Sequence, residues 1–288
     1  NNGDGTFTEK IHQNVNHISF SSMGVDAGDI NNDGMLDLMV VDMVAEDNYR
    51  IKANMSGMNP DAFWKVVNEG GHHQYMFNML HYNTGNAQFS DIAQLAGVAS
   101  TDWSWSSLFA DFDNDGWKDL FITNGLMRDI RNKDAHKTFA HTVESSLAEY
   151  LKTHPNPPAD LSIWDIIDLE KTLSVTPSVK LKNYIFKNNG DLTFTKKMDE
   201  WGMTEKTFAN GASYADLDND GDLDLIVSNI NDVASIYQNN SYKDNHYVRV
   251  QAINDDKLSA IIGTKIWLET NAGKQFFEIT GVRGMYST

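Results

Sequence analysis

SLFADFDNDGWKDLFITNG, residues 107–125, sets three aspartates at alternate positions, then a glycine, a fourth aspartate and an apolar run. Alternate residues of a tight loop point the same way, so Asp111, Asp113 and Asp115 deliver three carboxylates into one space. Gly116 permits the sharp turn that follows, after which the backbone carbonyl of Trp117 and the carboxylate of Asp119 complete an oxygen cage. Four carboxylates this close repel one another unless a hard cation neutralises them. A ligand set made only of oxygen suits Ca²⁺ better than zinc or copper.

The same pattern occurs twice more, in GVDAGDINNDGMLDLMVVDM (24–43) and ASYADLDNDGDLDLIVSNI (212–230). In the third copy the roles fall to Asp216, Asp218, Asp220 and Asp224 with the carbonyl of Asp222. In the first they fall to Asp29, Asn31, Asp33 and Asp37 with the carbonyl of Met35. Three Ca²⁺ sites are expected, the first the weakest because Asn31 removes a negative charge. An EF-hand opens the same way but needs a bidentate Glu at position twelve and flanking helices. Here position twelve is Val40, Ile122 or Val227, and each loop runs into an apolar strand-like segment.

A second element, N-x-G-x-x-x-F or a close variant, recurs at 2–7, 83–89 and 189–194. The first Asp of successive acidic segments is 82 and then 105 residues on, with the excess lying in inserts at about 45–74 and 126–179. The second insert contains ESSLAEYL and LSIWDIIDLEK, apolar at helical spacing, separated by the chain-breaking HPNPP of 154–158. Around the second acidic loop, strands are expected near 105–112, 119–123, 181–188 and 192–197. Four short antiparallel strands per repeat describe a blade of a β-propeller. The expected class is therefore all-β: four-stranded blades with helical insertions, in a fragment of a longer propeller, since three units do not close a ring. The expected division is the end of a preceding blade at 1–22, blades at 23–98, 99–203 and 204–254, and a further segment at 255–288.

These segments resemble the FG-GAP or VCBS repeat, the blade unit of the integrin α-chain propeller, over roughly residues 1–254 apart from the inserts. The resemblance implies Ca²⁺ in the D-x-D-x-D-G-x-x-D loop between the first two strands of a blade. The C-terminal stretch resembles the ASPIC/UnbV domain in a strand at 246–252, a turn at 260–263, a strand at 265–270 and residues 281–286.

Composition bounds the function. A formal net charge of −17 argues against nucleic acid, which demands surplus Lys and Arg. The 41% of apolar residues suffices for a large core. No apolar run approaches the roughly 18 residues of a membrane span, and zero Cys excludes disulfides and thiolate sites. The calcium reading points to an extracellular or cell-surface setting, with anchoring, including to an outer membrane, through a region upstream.

Lesser candidates are Trp103, as a sugar platform, and Arg128 and Arg131 beside Asp129 and Asp134, as an anionic-ligand site. His72, His73 and His81 lack ligand spacing and read as surface or loop histidines. No nucleophile elbow or phosphate-binding Gly loop is present. The expected function is a calcium-binding adhesion module for a protein or glycan ligand. The rivals are a carbohydrate-active enzyme on a propeller scaffold and a structural subunit of a cell-surface complex.

Overall fold

A computed structural model of the chain describes residues 1–55, 59–243, 245–253, 261–271 and 273–281. Each acidic repeat builds one antiparallel sheet. Blade one is ordered Gly24–Gly28, Asp37–Val41, Met79–Asn83, Phe89–Asp91. Blade two is ordered Asp102–Ala110, Asp119–Asn124, Tyr184–Asn188, Phe194–Lys196. Blade three consists of Ala209–Ala215, Asp224–Asn229 and Ser235–Tyr237. The result is a partial β-propeller.

Period-two alternation stacks the blades. From blade two, Phe109, Leu120, Ile122 and Phe186 face blade one, where they pack with Met39, Val41 and Leu80. Their sequence neighbours Leu108, Phe121 and Ile185 face blade three and pack with Ala212, Leu225 and Val227. The strand Asp119–Asn124 is consequently buried at every position, and each large side chain in it contributes about 2 kcal/mol of burial. A polar tie crosses the first interface, where the Phe109 N–H donates to the buried Asp26 carboxylate at 2.7 Å.

In an up-and-down sheet, the connection between first and second strands lies at the opposite end from that between second and third. The acidic loops therefore share one face of the arc and the inserts crown the other. Insert one holds the helices Asn48–Asn54 and Pro60–Asn68, and insert two the 21-residue helix Lys133–Thr153. Along the long helix Ala135, Phe139, Thr142, Val143, Ser146, Leu147 and Tyr150 form the less exposed stripe, as helical spacing dictates. LSIWDIIDLEK does not make one helix: it divides into a 3₁₀ turn, Ile163–Asp165, and the short helix Leu169–Leu173. Ser162 caps the start of the turn in a capping box with Asp165.

The crown is pinned by one guanidinium. Arg50 of insert one makes paired bonds to Asp102 (2.7 and 2.9 Å) at the start of blade two, and to Asp129 (2.9 and 3.2 Å) of insert two. Both carboxylates are buried. Asp102 holds a left-handed φ of 62° to present its side chain there.

Three expectations change. Blade three has three strands among the described residues, where four are expected of a blade. Residues 246–253 form no strand among the described residues. Blade two instead gains a fifth strand, as Met43–Val44 leaves blade one and pairs with Trp103 and Asp102. The expected strand at 265–270 is present as Lys265–Thr270, in a hairpin with Gly273–Glu278. Residues 261–263 lie in a turn, while Ala260 and residues 282–286 fall outside the described residues. At the other end, residues 2–8 repeat the side-chain bonds of 189–195: Asn2 to Thr6 matches Asn189 to Thr193, and Thr8 to Asn2 matches Thr195 to Asn189.

Candidate metal centre

Each acidic loop folds on its own backbone before any ion is considered. In the second, the Asp111 carboxylate accepts the N–H groups of Asp115 (3.0 Å) and Gly116 (2.8 Å), and Asp115 accepts that of Trp117 (2.9 Å). The first loop does the same with Asp29, Asp33, Gly34 and Met35. The fourth position carries the left-handed turn in all three loops, with φ of 58° at Asn32, 55° at Asn114 and 65° at Asn219. Asn tolerates that region better than most residues.

The turn gathers the carboxylates. One oxygen from each of Asp111, Asp113 and Asp115 lies within 4.8 Å of the others, and the same holds for Asp216, Asp218 and Asp220. In the first loop Asn31 occupies the third position and donates to Asp33 at 2.9 Å. The donor chemistry fits a hard divalent cation: oxygen atoms only, converging from one turn. Burial makes the cluster costly without one. It raises the Asp111 carboxyl to about 7, with Asp115 and Asp113 nearby adding to the shift, and it raises Asp113 as well.

The ninth-position aspartates occupy a different place. Asp37, Asp119 and Asp224 are buried, and each takes two backbone N–H donors. One comes from the second loop position, Ile30, Phe112 or Leu217 at 3.0, 2.9 and 2.9 Å. The other comes from the end of the third strand, Asn83, Asn188 or Asn239 at 2.7, 2.9 and 2.8 Å. Each oxygen keeps a second lone pair for a cation, but the residue is also the strut that ties loop to sheet. Burial pushes Asp37 up to about 6 and Asp119 up to about 8, against the lowering effect of those two N–H donors.

Two asparagine sets belong to this site although spacing within the loops does not single them out. Asn83 and Asn188 close the third strand and Asn239 lies just beyond it, and Asn188 and Asn239 also donate to the preceding blade at Ile30 and Phe112. Asn32 donates to the Gly116 carbonyl at 3.0 Å and Asn114 to the Gly221 carbonyl at 3.4 Å, so each loop is bonded to the next. The signal in the sequence is the recurrence of Asn at loop position four and at the close of each third strand.

The residue before the strand-closing Asn leans over the loop in every blade. Tyr82 accepts from Asn31 at 3.2 Å, Gln238 donates to Asp218 at 2.7 Å, and Lys187 reaches both Asp113 and Asp115, the latter at 2.5 Å. The C-terminal hairpin also seats on this face. The Phe276 N–H donates to Asn32 at 3.1 Å, and the buried Phe276 carbonyl accepts Lys118 at 2.9 Å. Arg249 pairs with Asp216.

The remaining candidates lie on the crown. Trp103 is buried beneath the Arg131 guanidinium, 5.5 Å from its ring centroid. Arg128 holds the carbonyl of Leu173 at 3.0 Å. Of the three histidines, His81 is not at the surface: it is buried in its strand, and that burial lowers its pKa. His72 stacks on His12 at 4.6 Å.

The sequence model of a family described as FG-GAP-like repeat matches residues 1–40, 60–122 and 173–227, more than half of the chain. No curated protein matches it.

Proposed function

The chain belongs to the FG-GAP-like repeat family, and from that premise we propose that it is a calcium-binding propeller module of the extracellular space that presents a protein or glycan ligand site. The observation that carries this reading is the convergence of three carboxylates within 4.8 Å in each of two loops built alike. In the third blade, Asp216, Asp218 and Asp220 would hold the ion with the carbonyl of Asp222 and the carboxylate of Asp224. The second loop would use Asp111, Asp113, Asp115, Trp117 and Asp119, and the first Asp29, Asn31, Asp33, Met35 and Asp37. The ion supplies charge neutralisation and rigidity.

Millimolar free Ca²⁺ outside the cell suits sites built on short, partly exposed loops, which supports the extracellular placement. Among the described residues no helix is long and apolar enough to cross a membrane. With one face taken up by metal loops and the hairpin, the insert-bearing crown is the surface left to engage a partner. Loops and inserts on a rigid scaffold commonly carry recognition.

Thermal unfolding with and without EDTA, followed by back-titration with Ca²⁺ and Mg²⁺ and metal analysis, tests this. A Tm that drops by many degrees on chelation and returns with Ca²⁺ alone upholds the reading. An unchanged Tm in a protein free of bound Ca²⁺ reduces the loops to acidic turns.

A further inference from the structure

Lys187 sets the second loop apart from the other two. The three blades offer an internal comparison, because the residue before the strand-closing Asn occupies one structural position in each: Tyr82, Lys187 and Gln238. Two of these are neutral. The third places an ammonium on the side-chain oxygens of Asp113 and Asp115, two of the three carboxylates that converge. A Ca²⁺ ion draws its oxygen ligands to 2.3–2.6 Å, and an ammonium hydrogen-bonded to two of the same groups occupies the same shell.

We infer that Lys187 is a built-in competitor for the second metal loop, so that this loop keeps its shape without a divalent ion and binds Ca²⁺ more weakly than the third. The inference rests on the calcium reading of the loops. Counting loop carboxylates alone ranks the first loop lowest, since Asn31 replaces an aspartate. Counting the overhanging residue as well takes the second loop from four negative charges to a net three, level with the first, while the third keeps four, and affinity in such sites follows the charge of the ligand set. The ion must both evict the ammonium and tolerate it nearby.

Other cations near the loops act differently. Lys118 lies between the first and second loops but bonds the carbonyls of Asp29 and Phe276, not the carboxylates. Arg249 pairs with one loop carboxylate, Asp216, from a segment without regular structure, and its side chain is 58% exposed, so it can swing into solvent. Lys187 projects from a paired strand and bridges two loop carboxylates.

Calorimetric Ca²⁺ titration of the whole chain and of two reciprocal swaps tests the inference. Lys187→Gln installs in blade two the residue that blade three already carries, and is expected to tighten one site about tenfold or more. Gln238→Lys is expected to weaken a different site by a similar factor, and Arg249→Met to change affinities less than either. Either swap reads the effect alone if the other fails to fold, with Lys187→Arg as the charge-retaining control. Swaps that leave every affinity within about twofold overturn the role of Lys187 while leaving the calcium sites intact. Absence of Ca²⁺ binding in all of the proteins overturns the calcium reading and this inference together.

Discussion

The indole of Trp267 lies across Gly34: a methyl group on that glycine would come within 2.5 Å of two of the ring carbons. Gly34 has a φ of 86°, so the turn of the first acidic loop and the seat of the C-terminal hairpin depend on the same absent side chain. Gln275 crosses Gly116 of the second loop in the same way.

Gly34→Ala should therefore release the hairpin as well as strain the loop. The backbone cost of the left-handed conformation is about 1–2 kcal/mol. The expected sign of release is a red-shifted Trp267 fluorescence and protease cleavage within the hairpin, while blade three keeps its Ca²⁺ affinity. Unchanged fluorescence and cleavage would place the hairpin elsewhere in solution.

Asp119→Ala should destabilise the chain by about 2–4 kcal/mol, because it strands the buried N–H groups of Phe112 and Asn188. The loss should already be present in EDTA and grow in Ca²⁺, whereas a residue that acts only through the metal would show none in EDTA. Urea unfolding in both buffers measures it. Asp113→Asn should instead cost little in EDTA.

Stability without divalent ions should fall as pH rises. Burial raises the folded-state carboxyls of Asp37, Asp111 and Asp119 to about 6, 7 and 8, above their ordinary value of 3.8. The folded chain then holds protons that the unfolded chain has lost. The contribution is complete below about pH 4 and is lost as pH climbs through the folded values to about 8. Saturating Ca²⁺ should reverse the trend, since it binds only the ionised form. Urea midpoints at pH 5 and pH 8, with and without Ca²⁺, measure both arms.

Arg50→Met should cost about 3–5 kcal/mol, because it leaves two buried carboxylates facing each other without their cation. The damage should be local to the crown. Hydrogen exchange should accelerate in both inserts, and Ca²⁺ affinity on the far face should hold.

The repeat was legible because its chemistry is local. A carboxylate at every second position, a glycine at the sixth and an apolar strand after the ninth are all specified within about ten residues. That pattern determined the blades, the acidic loops and the strand spans of blade two to within a few residues. The helical stripe in the second insert was readable for the same reason, and HPNPP does lie just beyond the end of the long helix, at Thr153.

Tertiary structure decided what depends on residues far apart in the chain. Trp103, Arg128 and Arg131 have the composition of a binding surface, yet Trp103 is buried, Arg128 is bonded to the Leu173 carbonyl, and Arg131 is exposed with its guanidinium over the Trp103 ring. Asp119 reads as one more ligand, but only the return of the third strand reveals the second N–H that makes it a strut. The placement of Lys187 over Asp113 and of Trp267 over Gly34 follows from how strands and hairpin close in space. Sequence alone determines what a loop can chelate, because those ligands are neighbours along the chain. Which charges and rings stand over that loop is settled by long-range packing, where the apolar cores between blades set the position of every strand.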